Sequence, residues 1–414
     1  MKTRFNLVVA AALVLALFPT FFGSRAASAQ NGVDVRDRYI VVFKDTVADP
    51  TSRANGMAQA NGLSLHHTYA SALKGFAATI PAARMERIKA DPDVAYVWAD
   101  AVVTISGKPG GGGGAQTLPT GINRIDGELS SAVSGNGSGS VDVDVAVIDT
   151  GIDPSHPDLN VVGGVNCSTG SSYGDGNGHG THVAGTIGGK DDGSGVVGVA
   201  PGARLWAVRV LNNSGSGSWS SIICGIDWVT ARAGTIEVAN MSLGGTGSDT
   251  GCGRGDALHD AICRSVGAGV TYVVAAGNET DDAKNHVPAA YDEVITVSAL
   301  ADFNGLPGGG AASTCRADQD DSFASFSNYG ADVDIIAPGV CILSTWKGGG
   351  YNTISGTSMA SPHVAGAAAL YKSTHASASP ASVKSALQSS GTTDWNNGDD
   401  GDNTKERLLN VDGF

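Results

Sequence analysis

Three short segments carry residue types able to do covalent chemistry together. Asp149-Thr150-Gly151-Ile152-Asp153 places a carboxylate at the end of an apolar run, Val143 to Ile148. Gly178-His179-Gly180-Thr181-His182-Val183 places an imidazole at the start of a helical pattern. Gly356-Thr357-Ser358-Met359-Ala360-Ser361-Pro362-His363 places a hydroxyl just ahead of the helical run Val364 to Leu370. A serine hydroxyl is a weak nucleophile until a base takes its proton, and the base needs an acid to orient it. Asp, His and Ser in that chain order is one of the known orders for this constellation. The α/β-hydrolase arrangement needs the order Ser, Asp, His and a glycine where this chain has Ala360. A fourth segment, Ala275-Ala276-Gly277-Asn278, ends another apolar strand with an amide that can donate to an oxyanion. Ser358 near a helix N-terminus would have free backbone N–H groups for the same purpose.

Each residue alone has a plainer reading. A strand-end Asp caps turns, a Ser before a helix is an N-cap, and Asn278-Glu279-Thr280 reads as a turn or a glycosylation sequon. His179 and His182 are three apart and could form a metal pair, but there is no HExxH motif and no third ligand nearby. His182 is expected inside the helix as a packed residue.

These segments need a scaffold that brings strand ends and helix starts together. Apolar runs at 143–148, 205–210, 238–242, 271–275 and 294–297 alternate with helical patterns at about 182–189, 219–233, 255–268 and 359–374. Strands buried on both faces, alternating with helices, predict an α/β fold with a mostly parallel central sheet and helices on both faces. Active sites of such sheets collect at the C-terminal strand ends. A smaller α+β unit precedes it: strands at 38–43, 75–80 and 94–97, and helical patterns at 55–61 and 82–90. Between the two lie Lys108-Pro109 and the glycine run 110–114, which read as a linker or cleavage zone.

The start of the chain reads as an export signal over residues 1–29. Lys2 and Arg4 precede an apolar stretch from Leu7 to Phe22, and Ala27-Ser28-Ala29 fits the small-x-small cleavage rule. A membrane anchor is the rival reading, but the apolar stretch is short for a span. A secreted, extracellular protein is therefore expected. Six cysteines in an exported chain predict disulfides, for which 15 pairings exist. Cys252 with Cys263 and Cys315 with Cys341 look like short loops, leaving Cys167 with Cys224; metal ligation is the alternative, unsupported by any CxxC pair. A net charge of −14 argues against nucleic acid and anionic membranes as partners.

With these motifs in place, the sequence resembles the subtilisin-like serine proteases, closest to the proteinase K branch. The resemblance covers everything after about residue 115 and implies a serine endopeptidase with no catalytic cofactor. It implies that Asp149 orients, His179 acts as base and acid, and Ser358 attacks, with Asn278 and the Ser358 N–H as oxyanion donors. Ser242, Leu243 and Gly244 resemble the strand that pairs with substrate; Ala275, Ala276 and Gly277 resemble the wall of the first specificity pocket. Small residues there imply broad specificity with an apolar or aromatic preference. Residues 30–107 resemble the family's inhibitory propeptide, cut off within 108–114, with Ala115 as the mature start of a catalytic domain 115–414. The resemblance also implies structural calcium, held by the Asp158 and Asp192 side chains and the carbonyls of Lys190, Ser194 and Val196. Asp334 is a candidate for a second site. Expected partners are peptide substrates and the chain's own propeptide, and the chain is expected to act as a monomer. An esterase, or an inactive binding protein on the same scaffold, are the rival functions.

Overall fold

The computed structural model describes residues 32–105, 116–396 and 400–414. The expected signal segment, the glycine run and the expected mature start lie outside these residues.

The N-terminal unit runs β1 (Arg38–Phe43), α1 (Pro50–Asn61), β2 (Ser64–Tyr69), β3 (Gly75–Thr79), α2 (Ala82–Lys89), β4 (Val94–Ala99) and β5 (Val102–Thr104). Its sheet is antiparallel in the order β2-β3-β1-β4. β2 was not expected: Ser64-Leu65-His66-His67-Thr68-Tyr69 is largely exposed and has no apolar run to announce it.

The larger unit continues with α3 (Thr120–Arg124), β6 (Asp144–Asp149), β7 (Val161–Asn166), α4 (His179–Gly188), β8 (Arg204–Arg209), β9 (Ser216–Ser218), α5 (Trp219–Thr230), β10 (Val238–Met241) and β11 (Gly245–Thr246). Then come α6 (Ala257–Gly267), β12 (Thr271–Ala275), β13 (His286–Val287), β14 (Ile295–Ala301), β15 (Ser322–Phe323), β16 (Ile335–Pro338), β17 (Ile342–Trp346), β18 (Gly350–Ile354), α7 (Thr357–Thr374) and α8 (Pro380–Ser390). The main sheet has the order β15-β14-β12-β10-β6-β8-β7, with β16 also on β14, and only β15 is antiparallel.

Alternation along the central strands divides the core in two. Val145, Val147, Val238 and Val273 pack with Val183 and Ile187 of α4 and Met359 and Val364 of α7. Ala146, Ile148, Ala239 and Val274 pack with Ile222 and Ile226 of α5 and Leu258 and Ile262 of α6. Both faces of β6 are therefore buried, which is why it reads as one continuous apolar run. The outer side of α5 and α6 is covered in turn by Ile40, Val42, Tyr69 and Leu73 of the N-terminal sheet. The opposite face of that sheet, Val41, Phe43 and Phe76, packs on Met57 and Ile88 of α1 and α2. The disulfides are Cys167–Cys224, Cys252–Cys263 and Cys315–Cys341, the pairing that loop proximity favours. Among the described residues, no helix is long and apolar enough to cross a membrane.

Candidate active site

Asp149 is the last residue of the central strand β6, and His179 is the first of α4. The helix begins three residues earlier than its apolar pattern predicts. The side chain of Asp175 supplies the start: its carboxylate accepts from the N–H groups of Asn177, Gly178 and Thr181 at 2.8–3.0 Å. Gly178 sits at φ +117°, and a Cβ there would lie 2.3 Å from the Trp346 ring. Only glycine fits both demands.

His179 Nδ1 lies 2.8 and 2.9 Å from the two oxygens of Asp149, and both residues are buried. Asp149 Oδ1 also accepts the N–H of Thr150 at 2.7 Å. Burial pushes the imidazole of His179 towards neutrality, but the charge and hydrogen bond of Asp149 outweigh it and hold the proton affinity above the ordinary histidine value. Nε2 of His179 is buried and has no hydrogen-bond partner. His182 is a different kind of residue. Its Nε2 faces the carbonyls of Ile342 and Asn352 at 2.9 and 3.2 Å, and burial pushes it down to about 3. It is a neutral core histidine tying α4 to the β17–β18 hairpin.

Ser358 is the second residue of α7. Its Oγ donates to the carbonyl of Ser242 at 3.2 Å, while Ser242 Oγ donates back to the carbonyl of Ser358 at 2.8 Å. The second bond has a sequence cause. Pro362 lies four residues on and has no N–H, so the Ser358 carbonyl lacks its helical partner and takes a hydroxyl instead. A buried polar chain extends this link: Asn240 donates to Ser242 Oγ at 2.9 Å and accepts from Ser361 Oγ at 2.8 Å. Asn240 and Ser361 were not singled out by sequence, because a polar residue in an apolar strand carries no label for its partner.

Asn278 follows β12. Its Oδ1 accepts from the N–H and hydroxyl of Thr357 at 2.8 and 3.0 Å, which leaves the NH₂ end of the amide as its donor. Gly277, at φ +110°, makes the turn before it. Ser242, Leu243, Gly244, Ala275, Ala276, Gly277, Asn278 and Ser358 all line one cavity of about 280 Å³.

The floor of that cleft is occupied by the chain itself. β5 pairs antiparallel with β9, matching Val102 to Ser218, Val103 to Gly217 and Thr104 to Ser216. On its other side Thr104 bridges to Gly244, also antiparallel. The N–H of Ile105 donates to Gly215 at 2.9 Å. β9 was missed because Asn212-Asn213-Ser214-Gly215-Ser216-Gly217-Ser218 has the composition of a loop; its strand exists only as the partner of β5.

Away from the cleft, Asp158 is buried, with Oδ2 accepting from Val196 N–H at 2.9 Å and Oδ1 lacking any partner. Burial, then the nearby Asp192 charge, push its carboxyl up to about 6. Lys190 turns its ammonium away, to the Pro157 carbonyl at 2.7 Å. Gln116, which the sequence did not bring forward, reaches this loop: Nε2 lies 3.4 Å from the Lys190 carbonyl and 2.8 Å from Asp191. Its Oε1 accepts from Gly193 at 2.6 Å. Asp334 differs. One oxygen pairs with Lys384 Nζ at 2.8 Å and the other accepts Thr296 N–H at 2.9 Å.

Comparison with known proteins gives one consistent outcome. The model described as "Subtilase family" matches residues 140–410, and "Peptidase inhibitor I9" matches residues 38–106. The chain is 38% identical over 384 residues to Subtilisin E of Bacillus subtilis (strain 168), covering 91% of each chain. It is 43% identical over 282 residues to Subtilisin DY of Bacillus licheniformis, covering 67% of this chain and 93% of that one. A solved cold adapted subtilisin-like serine proteinase superposes with TM-score 0.56 at 37% identity, covering 71% of this chain and 98% of that one.

Proposed function

The chain belongs to the subtilase family and is a serine endopeptidase made as a zymogen, and we propose that Asp149, His179 and Ser358 are its working triad. The observation that carries this reading is the buried Asp149–His179 pair, in which Asp149 holds Nδ1 and Nε2 has no hydrogen-bond partner.

In this reading Ser358 Oγ leaves its bond to Ser242 and passes its proton to Nε2 of His179 as it attacks the scissile carbonyl carbon. Asp149 holds Nδ1–H and stabilises the imidazolium. The NH₂ of Asn278 and the N–H of Ser358 meet the oxyanion at the start of α7. Collapse breaks the C–N bond, and His179 protonates the leaving amine. Water, deprotonated by His179, then hydrolyses the acyl ester. No cofactor takes part in these steps.

Substrate would enter as an extended strand between β9 and residues 242–244, the place β5 holds. Main-chain pairing tolerates many sequences, and the small residues Ala275, Ala276 and Gly277 leave room for a large apolar or aromatic side chain. The register also bears on processing. Ser242 lies two residues from Gly244, the partner of Thr104. Ser242 is the residue bonded to Ser358. In this reading the first cut falls after Ser106, two residues past Thr104 in the sequence and at the edge of the proposed propeptide 30–107, with later trimming through 108–114 towards Ala115 and a catalytic domain 115–414. A signal over residues 1–29, secretion and a monomeric product complete the reading.

The bare Oδ1 of Asp158 fits a cation, and the Asp192 side chain, the carbonyls of Lys190, Ser194 and Val196, and Gln116 are the residues that would hold calcium with it. Bound calcium would tie the start of the catalytic domain to that loop; it supplies no chemistry to the cleft.

N-terminal sequencing of the product, in a host lacking other proteases, tests the proposal. The wild-type chain should show a cut after Ser106, and Ser358→Ala should stay uncut. A normally processed Ser358→Ala chain would refute self-cleavage.

A further inference from the structure

One corner of α6, outside the cleft, gathers four side chains of metal-binding type. Cys252, His259, Cys263 and Glu293 each bring one ligand atom, and all four atoms lie within 4.8 Å of one another. Among the described residues neither of the other disulfides has such company. His259 and Cys263 are four residues apart and so share one face of the helix. Cys252 comes from the loop before α6, which Gly253 fastens by donating to Asp260 at 2.5 Å. Glu293 comes from the loop before β14, where Lys384 Nζ donates to the carbonyls of Asp292 and Val294 at 3.2 and 2.9 Å.

In the oxidised chain the two sulfurs form a disulfide. Glu293 spans the gap beside it: Oε1 lies 3.1 Å from Cys252 Sγ, and Oε2 lies 2.7 Å from His259 Nε2. The other ring nitrogen of His259, Nδ1, lies 3.1 Å from Asp249 Oδ1. The ring is buried and stacks on Tyr291 with centroids 3.9 Å apart. Nε2 therefore faces Glu293, and Nδ1 has a carboxylate behind it. That is the arrangement that fixes the tautomer of a zinc-bound histidine. The disulfide bond itself needs neither His259 nor Glu293.

We propose that reduction of the Cys252–Cys263 disulfide turns this corner into a tetrahedral zinc site, with the two thiolates, His259 Nε2 and the Glu293 carboxylate as ligands. Thiolates with an imidazole suit zinc, whereas calcium and magnesium take oxygen. Ligand atoms about 2.0–2.3 Å from a tetrahedral ion stand about 3.3–3.8 Å from one another. Four atoms already within 4.8 Å reach that spacing by small side-chain turns. The reductant is a dithiol. It passes two electrons to the S–S bond and closes its own disulfide, and its two protons go to the freed sulfurs. Zinc then displaces both protons to water. Cys252 is exposed, which opens the bond to attack. Disulfide and ion are alternative clasps for the loop before α6, one for oxidising surroundings and one for places where thiols stay reduced. The site is separate from the Asp158 loop and does not depend on the triad assignment.

The test uses the full Ser358→Ala chain, so that autolysis cannot change the sample. The chain is reduced with a dithiol, desalted without oxygen and titrated with cobalt(II), the coloured stand-in for zinc. One cobalt per chain should give thiolate-to-cobalt charge-transfer absorption that zinc abolishes. Zinc should slow iodoacetamide labelling of Cys252 and Cys263 at least tenfold, and leave labelling of the other four cysteines unchanged. Glu293→Gln and His259→Ala should each weaken cobalt binding at least tenfold. If reduction alone unfolds the chain, zinc added before the dithiol should preserve the near-ultraviolet circular dichroism. Equal loss of that signal with and without zinc would overturn the proposal. So would absence of the charge-transfer band, or cobalt binding of unchanged strength in both variants, which would leave the site to the cysteines alone.

Discussion

The cleft and the platform beside it meet the N-terminal unit in different ways. In the cleft, contact is main-chain pairing by a short strand, β5 with β9 and Thr104 with Gly244. On α5 and α6, contact is made by side chains. Tyr69, Ile40, Val42 and Leu73 bury apolar surface there. Asp227 of α5 accepts the N–H groups of Ala70, Ser71 and Ala72 at 2.6–3.1 Å. Asp100 of the N-terminal unit in turn accepts from Ser220 N–H and Oγ at 3.0 and 2.6 Å, at the start of α5. The cleft supplies chemistry with little sequence demand, and the platform supplies affinity with no chemistry. Inhibition and cleavage should therefore separate by mutation.

Asp149→Asn would break the chemical side hardest. A loss of kcat of about 10⁴-fold is expected, the size seen when a subtilisin loses its triad aspartate. Its pH profile gives the mechanism away. The reaction needs neutral His179, so kcat/KM falls as pH drops through the His179 pKa. Asp149 holds that pKa above the ordinary value against burial. With that charge removed, burial is opposed only by the smaller pull of Asp175, so the acidic limb should move to lower pH. A limb that stays in place would mean another group sets it.

Asn278→Ala should cost about 100- to 1000-fold in kcat with little change in KM, again a subtilisin figure. A change confined to KM would move Asn278 from the oxyanion to ground-state binding. On the platform, Asp227→Ala should weaken inhibition of the mature enzyme by separately added propeptide by about tenfold. Of the three N–H donors that lose the carboxylate only Ala72 belongs to a buried residue, and one unsatisfied buried group costs about 1–3 kcal/mol, the size of a tenfold change. Peptide hydrolysis by the free enzyme should not change. An effect on hydrolysis would show that platform and cleft are coupled.

The central sheet was legible because its strands are apolar on both faces, and the residues of the proposed triad were found at the ends of its elements. The platform was not. Tyr69 and Asp227 are ordinary residues on a weak strand and a buried helix, and nothing in the sequence pairs positions more than 150 residues apart. The same holds for Asn240 and Ser361, which position Ser242 and so Ser358 through a buried chain. β9 and α8 escaped for a simpler reason: their serines and glycines match loop composition, and tertiary pairing or capping by Ser379 decides their state.

The central claim is that His179 makes Ser358 the nucleophile. Its most direct test is covalent labelling of the mature enzyme with an active-site serine phosphonylating reagent, followed by peptide mapping. The account predicts a single label on Ser358, with labelling strongly slowed in His179→Ala and protected by peptide substrate. A label on another serine, or equal labelling without His179, would contradict it.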